Sequence, residues 1–122
     1  MNTKKNWIII SGIAGFIGVA LGAFGAHGLK NILSPEMIEI FKTGITYHLM
    51  HTAVIFAIAL AGNVKFFKAA VFLSAGIVLF SFSLYIYSVT GKTFLAMITP
   101  FGGISFLIGW LIIIIQALKL KD

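Results

Sequence analysis

Three histidines and a few hydroxyls carry most of the chemistry available to this 122-residue chain. His48 and His51 stand three positions apart, a spacing that puts both imidazoles on neighbouring parts of one helical face. Imidazole can ligate a metal or haem, pass a proton near neutrality, or hydrogen-bond in its neutral form. The metal reading is short of partners. The chain has no cysteine, and Glu39 precedes His48 by about 13 Å of helix, so His27 is the evident third ligand. No cofactor is therefore expected, with haem or a metal as the alternative. The plainer expectation is that His48 and His51 are neutral and hydrogen-bonded to hydroxyls of a neighbouring helix. A proton-handling or ligand-binding pair is the third reading.

Catalytic templates find less support. Hydrolysis within a membrane needs a serine or aspartate nucleophile beside a base, or a His-Glu-x-x-His zinc helix, and the sequence shows neither. The stretch "TPFGG" lacks the lysine and the preceding strand of a phosphate loop. No catalytic residue is assigned, and an enzyme is not expected.

The elements that must position these groups follow from composition. Sixty per cent of the residues are hydrophobic and only 10% are charged, where a soluble domain carries about a quarter charged. Such a chain needs an apolar solvent, which makes it an integral membrane protein. Its apolar residues fall into four runs, at about 7–26, 41–61, 69–89 and 100–118, the second belonging to a helix over about 35–61. Each is close to the roughly 20 residues that cross the hydrocarbon core as a helix. The runs are too long and too uniformly apolar for barrel strands. The predicted fold is an all-α, compact four-transmembrane-helix bundle, a single domain over 1–122. Ser34 before Pro35 reads as an N-cap, so the second helix should begin near Pro35 with its first two turns at the interface. Thr99 before Pro100 reads as the cap of the fourth helix in the same way.

All nine basic residues are lysines, against Glu36, Glu39 and Asp122. They are scattered between apolar runs, which reads as topology signals and phospholipid headgroup contacts; no nucleic acid partner is expected. Lys4, Lys5, Lys65, Lys68, Lys119 and Lys121 fall on one side and Lys30, Lys42 and Lys92 on the other. That imbalance predicts a multi-pass cell-membrane protein with both termini cytoplasmic. A rival for the first segment is a cleaved signal peptide, given the basic start "MNTKK" and the small residues around Ala23-Phe24-Gly25. The glycine pattern argues against it. Gly12, Gly15, Gly18, Gly22 and Gly25, with Gly28 beyond, form a smooth stripe where another helix can approach closely. Packing within the chain is the first expectation and a homo-oligomer seam the alternative. Gly76, Gly102, Gly103 and Gly109 extend the theme, and no repeat between the halves supports an inverted-repeat transporter.

With this topology the polar groups gather toward the outer side. His27, His48, His51, Ser81, Tyr85 and Thr99 are expected to form one outward-facing polar cluster, because polar side chains in a bilayer turn toward the bundle or a wet cavity.

Four stretches, "GAFGAHGLK", "FKTGITYHLMH", "LFSFSLYIYSVTG" and "ITPFGGISFLIGW", occur in this order. Together they resemble the small bacterial membrane proteins of domain of unknown function 423, also called uncharacterised protein family 0382, with the eukaryotic transmembrane protein 256 as a distant relative. The resemblance implies a four-helix inner-membrane protein. Its Gly-Ala-His-Gly turn is matched at Gly25 to Gly28, and its histidine after the tyrosine of the second helix at His51. Glutamine is common where this chain has His48, and a small residue where it has Phe82, so the resemblance implies His27 with His51 as the pair that matters. The expected function is a packing, assembly or small-ligand-binding component of the membrane. A small-solute or ion carrier or channel, and a haem- or lipid-linked redox component, are the alternatives.

Overall fold

The computed structural model describes residues 3–122 as four long helices: α1 (Lys4–Leu29), α2 (Pro35–Ala61), α3 (Val64–Thr90) and α4 (Thr93–Leu118). Each is long and apolar enough to cross a membrane. The protein is an all-helical, multi-pass membrane protein.

Local chemistry sets the ends. Thr3 Oγ1 accepts the Asn6 N–H at 3.2 Å and Ser34 Oγ accepts the Met37 N–H at 3.2 Å, each meeting an otherwise unpaired donor of a first helical turn. α2 and α3 both stop at a glycine in the left-handed region, Gly62 at φ 70° and Gly91 at φ 69°. The turns that follow are short, so successive helices run antiparallel. α2 spans 35–61 as expected, whereas the other three helices run longer than their most apolar stretches. The largest difference is in α4, which begins at Thr93, not at Pro100. Thr99 therefore caps nothing, and Pro100 sits inside the helix. A proline removes one helical N–H, which membrane helices tolerate where neighbours take up the freed group.

α1 packs on α2, α2 on α3, and α3 on α4. The first contact is the glycine stripe. A Cβ at Gly15 would meet Thr52, at Gly18 Leu49 and His48, at Gly22 Ile45, and at Gly25 Phe41, a steady antiparallel register. Gly12 and Gly28 face open space, so Gly12 is not part of the seam. The stripe is occupied by α2 within the chain, leaving an oligomer to use another face. α3 and α4 interlock in the same manner. Phe106 lies over Gly76, Leu73 over Gly109, and Gly102 lies against the backbone of Leu79 and Phe80, where any side chain would overlap. That last contact falls in a π-helical segment of α3, Ile77–Phe82; a second interrupts α1 at Leu21–Gly25. Large apolar side chains such as Phe16, Phe24, Leu107 and Leu118 point outward to the lipid.

Candidate functional site

The buried face of α2 consists of Phe41, Gly44, His48, His51, Thr52, Ile55, Ile58 and Ala59. Its two histidines are buried, at 0% and 1% exposure. Each is held at both ring nitrogens.

His48 joins three helices. Its Nε2 lies 2.8 Å from the Ala14 carbonyl of α1, and its Nδ1 lies 2.9 Å from the Tyr85 hydroxyl of α3. A carbonyl only accepts, so Nε2 carries the hydrogen. A charged imidazolium with no acid beside it would be costly at this depth, so Nδ1 is a lone pair that accepts from Tyr85. Beside it Ser81 donates to the Gly44 carbonyl at 2.7 Å, a second tie from α3 to α2. Gly44 permits the approach: a Cβ there would sit 2.7 Å from the Tyr85 ring. Phe82 packs edge-on to His48, with centroids 5.6 Å apart.

His51 has the opposite arrangement. Its Nδ1 donates to the Tyr47 carbonyl one turn back at 2.7 Å, and its Nε2 accepts the indole N–H of Trp110 from α4 at 3.1 Å. An indole can only donate, so this imidazole is neutral with its hydrogen on Nδ1. The ring stacks on Phe106 at 3.7 Å and 9°, and Tyr47 packs against Phe80 and Phe106. Thr99 lies apart from both histidines. Ser83 Oγ lies 2.8 Å from the Phe80 carbonyl and shares a hydrogen bond of 2.6 Å with Thr99 Oγ1, tying α4 to α3. A further tie, Ser105 to the Phe72 carbonyl at 2.7 Å, joins the same two helices.

The residues expected as one cluster thus fall into separate nodes. His48, Ser81 and Tyr85 come together, His51 pairs with Trp110, and Thr99 pairs with Ser83. His27 joins none of these. It is exposed and lines a different cleft with Lys30, Glu39 and Lys42. The helix register explains why. With Gly25 on Phe41 and Gly15 on Thr52, His27 stands level with the start of α2, about 17 Å along the axis from His51. That separation is more than half of the roughly 30 Å hydrocarbon core, so the two histidines lie at different depths. Among the described residues no three His, Cys, Asp or Glu side chains gather to hold a metal ion. Neither buried imidazole presents a free nitrogen in this arrangement.

Sequence reasoning missed Trp110 and the Ala14 carbonyl as partners. The first had a signal: a buried indole N–H usually finds an acceptor, and His51 is among the few side chains that can supply one, although the buried Trp7 indole has no partner among the described residues. The second is a backbone group and leaves no mark on the sequence.

The family model described as Protein of unknown function (DUF423) matches residues 21–103, which include His27, His48, His51, Ser81, Tyr85 and Thr99. The chain belongs to the DUF423 family. Similar DUF423 relatives are named as membrane proteins. The UPF0382 membrane protein YwdK of Bacillus subtilis is 42% identical over 94% of this chain and 98% of its own length. The UPF0382 inner membrane protein YgdD of Escherichia coli K12 is 40% identical over 98% of this chain and 94% of its own. A UPF0382 membrane protein of Haemophilus influenzae is 37% identical over 98% of both chains. No solved structure matches this DUF423 chain.

Proposed function

We propose that this chain is a packing or assembly component of the membrane, built as a rigid four-helix unit whose histidines strap its own helices together. The observation that carries the reading is His48, which holds α1 and α3 from its place on α2. A carrier needs polar groups that exchange partners along a path. Here Ser81, Ser83, Ser105, His48 and His51 are each committed to a fixed partner. The six-to-three distribution of lysines supports cytoplasmic termini. A second reading, binding of a small apolar ligand, is favoured by a crevice of about 220 Å³ between α1 and α3, where His48 lies among Ile13, Ile17, Ser74 and Phe82.

The test is to purify the full chain in mild detergent and, separately, to reconstitute it in vesicles. The assembly reading expects a second membrane protein to be retained at fixed stoichiometry and ion or solute flux to stay at the protein-free background. Flux above that background, or a chain that purifies alone, would overturn it.

A further inference from the structure

We propose that the cleft between the end of α1 and the start of α2 binds the phosphate-bearing headgroup of an anionic phospholipid. The site is separate from the buried histidine nodes and does not depend on how they are read.

The cleft measures about 600 Å³. Its walls are Gly22 and Ala23, small enough to recess one side, and the apolar Leu33 and Ile38; His27, Lys30 and Lys42 bring nitrogen donors to it. The acid in it is Glu39, whose carboxylate lies 3.9 Å from Lys42 Nζ with both side chains well exposed, a contact too loose to neutralise the group. Two lysines against one carboxylate leave the cleft net positive.

Depth selects a lipid over a soluble anion. α2 has 27 residues, about 40 Å at 1.5 Å per residue, and exceeds the hydrocarbon core by about two turns. Pro35 begins α2 and Lys30 lies just past the end of α1, so the cleft stands at the end of the bundle, where the helices leave the hydrocarbon core. Apolar walls leading down from a cationic mouth fit the root of a lipid, with phosphate among the ammonium groups and glycerol against Ile38 and Ala23.

The placement of the lysines points the same way. Lys30, Lys42 and Lys92 occupy the lysine-poor end of the bundle, where the charge bias disfavours them. Two of the three converge on one cleft beside His27, which gives them a role that topology does not. Lys92, at the same end, does not line it.

The test uses the full chain reconstituted in vesicles of equal phosphatidylglycerol and phosphatidylcholine, extracted in mild detergent, with retained lipid read by native mass spectrometry. Phosphatidylglycerol should be retained in preference. Lys30→Ala and Lys42→Ala should each lower that preference by about fivefold, the effect of removing one lysine near an anionic headgroup. Lys92→Ala should leave it unchanged, and Glu39→Gln should raise it. Absence of a preference, or equal loss in Lys92→Ala, would show only diffuse surface charge and overturn the site. Displacement of the lipid by millimolar inorganic phosphate would overturn the choice of a lipid as the ligand.

Discussion

Trp110 donates its indole N–H to Nε2 of His51 across 3.1 Å, which ties α4 to α2 and, with the Tyr47 carbonyl on Nδ1, sets the imidazole's tautomer. Where these helices face one another, the contact runs through the rings of Tyr47, His51, Phe106 and Trp110. Trp110→Phe keeps most of the ring and deletes the donor. Interhelical hydrogen bonds in membranes average about 0.6 kcal/mol, so this variant should lose about that much stability in an unfolding titration with denaturing detergent. A loss of several kcal/mol would mean that the indole does more than donate one bond.

His48 answers to a different substitution. A glutamine amide can donate toward Ala14 and accept from Tyr85, so His48→Gln should retain most of the stability. His48→Leu has comparable bulk but strands the Tyr85 hydroxyl in an apolar site, at a cost of about 1–3 kcal/mol. The two variants compared in the same titration check this. Equal stability would show that the Tyr85 bond contributes nothing.

The glycines should divide by what lies over them. Gly102→Ala should destabilise strongly, because its Cβ would overlap the backbone of Leu79 and Phe80, which cannot step aside as a side chain can. Gly12→Ala should be neutral or slightly stabilising, since nothing lies within 4 Å of that position and alanine favours the helix. Thermal stability in detergent distinguishes them, and similar effects at both sites would contradict the packing described.

Orientation is open to chemical labelling. Cysteines placed at Thr3 and Asp122 should resist an impermeant thiol reagent in intact cells, while one at Asn31, in the turn after α1, should react. Reaction at either terminus would reverse the topology.

Much of the fold was legible in the sequence because the bilayer leaves few choices. Four apolar runs of spanning length had to become helices, and Ser34-Pro35 marked the start of α2 to the residue. The start of α4 was hidden: Pro100 looks like a first-turn proline, yet helix continues on both sides of it, and Thr99 is used sideways on Ser83. The three-residue spacing placed His48 and His51 on one face of α2, and that face is buried. What it could not supply was the register of one helix against another. That register separates His27 from His51 and delivers Ala14 to His48, and it depends on which side chain fits over which glycine, a property of pairs of helices and not of either alone.

Both buried histidines act as neutral straps with fixed and opposite tautomers. Nitrogen-15 NMR of the imidazoles in the reconstituted full chain, assigned by His48→Gln and His51→Gln, measures this directly. The hydrogen should reside on Nε2 of His48 and on Nδ1 of His51 at neutral pH, and the Tyr47 carbonyl should keep it on Nδ1 of His51 in Trp110→Phe as well. A single shared tautomer, rapid exchange between the two forms, or an imidazolium at either position would contradict the account.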